Sequence, residues 1–495
     1  MTGALPGAPA GADVRLDPVT LAAEPAGQTS TAQAQASLPR GVADWVYLPV
    51  QVPAGVARLH VRYRYDRPDV PDGDLGNACD VGLFDERGTA LCGPGFRGWS
   101  GGARTEFFVA ADDATPGYVP GPVNPGRWAV LLGPYHEAPA GLTVDVEVTA
   151  TFGPTGAAAR SPSYPPVAVA GRGAGWYRGD CHLHTVHSDG KRTPEQMAAE
   201  ARSAGLDFIV SSEHNTTSAH RAWAGAAGDD LLIGLGEEVT TRNGHWLALG
   251  TEPEAWIDWR YRAIDARFDE FAALVHRHGG IVAAAHPYAP CLGCRFKFGY
   301  EQADAIEVWN GPWTLDDEVA LHTWDNLLVA AAAEPDRRRW VPAMGNSDAH
   351  AFDDRVGLAQ TVVQAEELSV TALQAGIVSG RSWLAESSQV SLQLRAETSG
   401  AVAEIGERLG APADAPVLVR LEVAGVPHAV LSLWTDQGQV YTARLDAAGT
   451  GRLEWPTSSA ASSYVRAEVR HPHSDDPGRT GAQPMAAMTN PIWLG

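Results

Sequence analysis

Asp180-Cys181-His182-Leu183-His184-Thr185-Val186-His187-Ser188-Asp189-Gly190 is the stretch on which the reading of this chain turns. Residues i and i+2 of an extended strand point to the same side, so a His-x-His pair can bring two imidazoles onto one ion. The next segment reads as a helix. Thr193-Pro194 supplies a capping hydroxyl and a proline at the first helical position, and Met197, Ala198, Ala201 and Ala204 share one face before Gly205. Asp207-Phe208-Ile209-Val210 then predicts a buried strand. Phe268, Phe271, Leu274 and Val275 predict a second amphipathic helix, closed by Gly279-Gly280 and succeeded by a strand from Ile281 to Ala285. Repeated strand–helix units imply a mainly parallel sheet or barrel, with its site beyond the carboxyl ends of the strands.

Those ends carry one kind of chemistry. Of the 16 histidines, 11 fall between His182 and His350, about a third of the length. His214 comes after the Phe208 strand, Glu237-Glu238 after the Leu231–Leu235 strand, and His286 after the Ile281 strand. Asp348 and His350 come after Val341-Pro342-Ala343-Met344. A capped or surface histidine explains any one of these positions. Packing does not explain a whole set of strand ends bearing His, Asp or Glu, and a metal site does.

The flanks read differently. Up to residue 155, Leu59, Val61, Tyr63 and Tyr65 alternate with His60, Arg62 and Arg64, and Leu142, Val144, Val146 and Val148 with Thr143, Asp145 and Glu147. Period-two alternation without strong helices suggests a β-sandwich or jelly roll over residues 1–155. Residues 156–175, rich in Pro, Ser, Ala and Gly, read as a linker, 176–385 as the strand–helix domain, and 386–495 as a C-terminal β-rich domain. A length of 495 residues allows roughly two to four domains. The formal charge of −22 makes nucleic acid and anionic membrane poor partners. No apolar run reaches the ~18 residues of a membrane span. Five cysteines, odd and sparse, do not form a disulfide framework, so the cytoplasm is the expected location, although a secreted form numbered without its leader would look the same. Cys291-Leu292-Gly293-Cys294 reads as a tight loop of buried thiols rather than a redox pair.

The His182–Gly190 stretch resembles the opening motif of the PHP (polymerase and histidinol phosphatase) superfamily. Ser212-Glu213-His214-Asn215, Gly236-Glu237-Glu238-Val239, Ala285-His286-Pro287 and Gly345-Asn346-Ser347-Asp348-Ala349-His350 resemble its later motifs, in order. Glu307-Val308-Trp309-Asn310-Gly311-Pro312-Trp313 and the terminal Thr489-Asn490-Pro491-Ile492-Trp493 are similar to the CehA/McbA branch, named for carbaryl hydrolases. The resemblance covers about residues 176–385. It implies a distorted (β/α)7 barrel and two or three divalent ions, usually zinc, manganese or iron. Carried across by position, it implies that His182, His184 and Asp348 bind a first ion. Glu238 bridges it to a second ion held by His245 and His286, and Asp189, His214 and His350 hold a third. Glu213 stands where relatives commonly have Asp.

Clustered divalent ions generate hydroxide at neutral pH and neutralise charge on a phosphoryl or carbonyl oxygen. The expected activity is therefore ester hydrolysis of a small, anionic substrate, with phosphoester cleavage leading. Asp348 would orient or deprotonate the attacking water and His187 would protonate the leaving group. Arg295, Trp309, Asn310 and Arg355 are the candidate substrate contacts. Carbamate or carboxylic-ester hydrolysis is the main alternative. A non-catalytic metal-containing binding protein is another, and a nuclease is disfavoured by the acidic balance.

Overall fold

The computed structural model describes residues 14–154, 162–334, 339–472 and 483–495. The chain divides into two compact units. The first contains residues up to Ser163 together with two short segments from mid-chain, Thr185–Asp189 and Glu213–Arg221. The second contains the rest.

In the first unit, the two expected alternating runs become the central pair of a four-stranded antiparallel sheet. Its order is Thr29–Leu38, Leu142–Phe152, Val56–Tyr65, Glu106–Ala110. Leu59, Val61 and Tyr63 are buried, as are Leu142, Val144, Val146 and Val148. A five-stranded sheet orders Val19–Thr20, Val46–Val52, Gly126–His136, Ala78–Phe84 and Phe96–Gly101. Residues of both sheets share one apolar cluster, including Val50, Val61, Val81, Trp128 and Val146. The outward face of the four-stranded sheet is polar and self-paired, with Arg62 on Glu106 and Arg64 on Asp145.

The second unit is mixed α/β, with few helices and many strands. Thr193 caps the helix Pro194–Ser203 reciprocally with Gln196. Phe268, Phe271 and Val275 form the buried face of Phe268–Arg277. The short strand Arg408–Leu409 pairs in parallel with Ile492–Leu494, and two three-strand runs also pair in parallel. One is Gly175–Asp180, Phe208–Val210 and Leu232–Gly234; the other is Ile281–Ala284, Ala305–Asn310 and Ala343–Asn346. The second run continues through an antiparallel hairpin, Gly236–Thr241 with Gly244–Leu249. The first continues antiparallel through Gln360–Ala365 and Ser382–Ala385 into Met485–Thr489 and Tyr464–Arg470. The expected division at residue 385 therefore separates strands that one eleven-stranded sheet joins. The expected linker is also structured beyond residues 155–161, which lie outside the described residues. Val169 donates its amide to Leu368 O and Val370 to Val167 O. No helix among the described residues is long and apolar enough to cross a membrane.

Asn490 ties the C-terminal strands to the strand Ala343–Asn346. This fully buried amide accepts from Ala343 N at 2.8 Å and donates to Ala343 O and Ser382 O. Ala343 begins the strand that leads to Asp348. Asn490→Ala leaves several buried backbone groups unpaired, and we predict a loss on the order of 2–3 kcal/mol. Urea denaturation reads this as a lower midpoint at unchanged slope. An unchanged midpoint would show that Asn490 is not an anchor.

Candidate metal centre

The segment Cys181–His184 continues beyond the end of its strand. Leu183 bridges Ala349 in parallel, Asp348 donates its amide to His182 O, and His184 donates to Ala349 O. On the other side Leu183 N–H donates to Ser212 Oγ at 2.8 Å. This extended run puts His182 and His184 on one side, ring centroids 5.2 Å apart. Asp180 and Asn346 fix the crossing. Buried Asp180 accepts from the amides of His182, Ser347 and Gly357, and burial raises its carboxyl to about 6. Asn346 Oδ1 accepts from Cys181 N–H.

Glu238 does not end the Leu232–Gly234 strand, as the apolar pattern suggests. Gly236 starts a new strand, and Glu238 sits inside the hairpin opposite Leu247. His245 is two residues from Leu247 on the same strand, so the tight hairpin turn puts it diagonally across from Glu238 on the same face. Neighbouring Glu237 points to the other face and accepts from Ile257 N–H at 3.2 Å. His286 and Asp348 each lie two residues past a strand, with φ of 23° and 50°. Such values are strained for non-glycine residues and cluster at functional sites.

The geometry converges on Glu238, which is 0% exposed. Its Oε2 lies 3.2 Å from His182 Nε2 and 3.3 Å from His184 Nε2. Its Oε1 lies 2.9 Å from His245 Nδ1 and 3.1 Å from His286 Nε2. Asp348 Oδ1 is 3.2 Å and 3.0 Å from the same two Nε2 atoms of His182 and His184. Two groups able to hold an ion result, His182/His184/Glu238/Asp348 and Glu238/His245/His286, sharing one carboxylate. The residues fit divalent metal. Although carboxylate oxygens are close, buried His182 Nε2 and Asp348 Oδ1 make no hydrogen bond among the described residues. Acceptors and ring nitrogens that face a common point without bonding one another are what an ion would satisfy.

Electrostatics reflect this crowding. Burial opposes charge on His182, but Asp348, Glu307 and Glu238 outweigh it and raise the ring well above the ordinary histidine range. Burial likewise opposes ionisation of Asp348, yet His182, His184 and His350 hold it well below the usual carboxylate range.

Glu307 is a site residue that the reading of the sequence did not place among the ligands or their supports. Its carboxylate meets His182 Nδ1 at 3.0 Å and accepts from His286 N–H at 2.8 Å. It also accepts from the amides of Asn310 and Asn346. That contact leaves His182 Nε2 facing the carboxylates of Glu238 and Asp348. The signal for it is a Glu in the apolar strand Ala305–Asn310, one more carboxylate of the same pattern.

The remaining candidates divide. Asn310 Nδ2 donates to Asp348 Oδ2 at 3.3 Å, so its amide orients that carboxylate. Trp309 is not a substrate wall. A bulge between Glu307 and Trp309 breaks the alternation and turns the indole into the core, where Nε1–H donates to Gly311 O. Arg295 and Arg355 are exposed on loops. Buried Arg192, not singled out from sequence, pins the loop after His350 by donating to Phe352 O and Asp354 O. The ring of His350 stacks on His184, and its Nδ1 faces Asp348 O at 2.7 Å. Cys291 and Cys294, expected as buried thiols, are joined as a disulfide, and Cys291 is exposed. A three-residue spacing in a tight turn brings their Cα atoms to 5.4 Å, within bonding range.

In the first unit, Asp189 Oδ1 lies 3.6 Å from His214 Nε2. Glu213 clamps the segment before Asp189, accepting from Thr185 N–H, Thr185 Oγ1 and Ser188 Oγ. Glu213 thus has three donors to satisfy it. His187 is half-buried, its Nδ1 2.9 Å from Ser218 Oγ.

No family model and no curated protein matches the chain. Among solved structures, one similar chain comes from Bacteroides vulgatus ATCC 8482, a two-domain protein described as containing a predicted PHP-like metal-dependent phosphoesterase. The match covers 63% of this chain and 94% of that one at 17% identity, with a TM-score of 0.34. A chain from Bifidobacterium adolescentis ATCC 15703, provisionally described as a metal-dependent phosphoesterase, is similar over 43% of this chain and 96% of its own. Its identity is 23% and its TM-score 0.28. An amidohydrolase from Chromobacterium violaceum, with bound sulfate and no metal, is similar over 36% and 89%, at 17% identity and a TM-score of 0.27. The superpositions are loose, and the chemistry of the centre stands on this chain's own residues.

Glu307→Ala removes the hydrogen-bond partner of the His182 imidazole, a member of one candidate ion-holding group. We predict metal affinity about 10–100-fold weaker in chelator competition, with Glu237→Gln at wild-type affinity. Equal affinity for all three proteins would remove Glu307 from the centre.

Proposed function

We propose that this chain is a metal-dependent hydrolase of the PHP type, and that it cleaves phosphoesters. The supporting observation is the shared carboxylate, since Glu238 presents one oxygen to His182 and His184 and the other to His245 and His286. Divalent ions held by these residues would supply an activated water and charge for a developing oxyanion. On this reading His182, His184 and Asp348 hold the first ion, His245 and His286 the second, and Asp189 and His214 are ligands of a third. The strand–helix part of the second unit is then the distorted (β/α)7 barrel, and the two sheets of the first unit are a β-sandwich.

Charge favours a phosphate over a neutral ester. The two groups comprise four histidines and two carboxylates. Neutral imidazoles and two negative charges leave two divalent ions undercompensated, so the centre attracts an anion. Asp348, held by Asn310 on one oxygen, orients the attacking water. His187 holds a proton for the leaving group, with Ser218 fixing its ring. Exposed Arg295 and Arg355 are the proposed contacts for the substrate's remaining charge. Carbamate or carboxylic-ester cleavage is the competing reading, and the burial of Trp309 takes away one candidate apolar contact for its leaving group.

The deciding experiment measures bound metal and then compares aryl phosphate mono- and diesters with matched aryl carbamates. We expect bound divalent ions, loss of turnover on chelation and recovery on adding metal back. Phosphoesters should turn over faster than carbamates. Asp348→Asn should lower both metal content and turnover, about 100-fold or more for turnover. A preference for carbamates would overturn the phosphoesterase reading. Absence of bound metal and of metal-stimulated turnover would falsify the hydrolase reading as well.

A further inference from the structure

The first unit contains two segments that sequence order assigns elsewhere, Thr185–Asp189 and Glu213–Arg221. Both meet at one peptide. Thr115-Pro116-Gly117-Tyr118 forms a turn closed by Tyr118 N–H on Thr115 O, with Gly117 at φ +101°. Proline and then a positive-φ glycine is the composition of a type II turn. Tyr118 roots this turn in the apolar core. It stacks on Phe107 at 3.8 Å, and its hydroxyl lies 3.0 Å from Ser100 Oγ.

The Gly117 peptide holds the second segment from both sides. Gly117 N–H donates to Ser218 Oγ at 3.0 Å, and Gly117 O accepts from Thr216 Oγ1 at 2.9 Å and from Trp99 N–H at 3.1 Å. Its Cα lies against the first segment, where an added Cβ would stand 3.2 Å from His187 O and 2.9 Å from Trp99 O. Ser218 Oγ also meets His187 Nδ1, and Arg104 donates to Val186 O. Within the segments, Glu213 ties Thr185 and Ser188 to the start of the second one. Asp189 and His214 lie just beyond these ties.

We infer that the Thr115–Tyr118 turn is a latch that sets the distance between Asp189 and His214, with Gly117 and Ser218 as positioning residues for a metal ion held by that pair. The turn thereby ties that pair to the core of its own unit. The inference rests on the proposed role of Asp189 and His214 as ligands. The latch acts by geometry. Removing the Ser218 hydroxyl or crowding Gly117 loosens one ion and spares those held by the buried Glu238 groups.

Native mass spectrometry and calorimetric titration of the full-length metal-free protein with Mn²⁺ test this. Asp189→Asn is expected to lose one ion per chain. Ser218→Ala and Gly117→Ala are expected to weaken one ion about tenfold or more, the size of other supporting contacts to metal ligands. The other ions should remain at wild-type affinity, and Ser218→Thr, which keeps the hydroxyl, should restore the weakened one. If Asp189→Asn loses an ion while Ser218→Ala binds every ion as wild type, the latch is wrong and the ligand assignment stands. If Asp189→Asn loses none, the third-ion assignment fails and the latch falls with it. Ser218→Ala and its rescue decide the matter whatever Gly117→Ala does to folding.

Discussion

A carboxylate with no exposure to solvent, placed among four imidazoles, is the constraint on which the arrangement of the second unit depends. Leaving Glu238 ionised in the interior without compensation would cost several kcal/mol. Compensation has to come from all sides, because its two oxygens face different histidine pairs. Those histidines sit on three separate segments: the run after Asp180, the hairpin strand Gly244–Leu249 and the turn after Ile281–Ala284. None of these segments compensates Glu238 alone, so the site and the sheet arrangement that gathers them form together.

Holding that arrangement requires a second layer of polar groups. Glu307 faces the far nitrogen of His182 and caps the amide of His286, linking residues of both candidate groups. Asn346 joins Glu307 to the Cys181 amide, and Asp180 gathers three further amides. His286 and Asp348 keep positive φ within this network. Backbone strain of this kind costs on the order of 1–3 kcal/mol per residue and persists only where its surroundings over-determine it. Here the network supplies that determination.

How far the sequence discloses this depends on range. Alternation at Leu59–Tyr65 and Leu142–Val148 and the cap at Thr193 depend on neighbours along the chain, and they correspond to the strands and helix found. Histidine and carboxylate at the ends of apolar runs can be read in the same way, since each run's polarity changes locally. Three features cannot. The new strand at Gly236 places Glu238 inside a hairpin, because the pairing partner lies across a turn that an apolar count does not show. The bulge after Glu307 sends Glu307 and Trp309 to different environments although period two gives them the same face. The antiparallel continuation past residue 385 arises from pairing Ser382–Ala385 with strands about a hundred residues later, so a change in composition there mimics a domain boundary.

These long-range pairings explain why so much chain surrounds so small a centre. The strand Ala343–Asn346 that leads to Asp348 is four residues long, too short to fix its own register. Asn490 satisfies both backbone groups of its first residue, and Thr361 Oγ1 accepts from Gly345 N–H and donates to Gly345 O. Likewise, Thr185–Asp189 and Glu213–Arg221 have no regular secondary structure, apart from local turns and a bridge at His214, and take their geometry from contacts with each other and with the Gly117 peptide of the same unit. Side chains on irregular backbone keep a fixed place when the flanking donors and acceptors have fixed partners. In this chain those partners come from Thr115–Tyr118 on one side of the sequence and from Asn490 on the other.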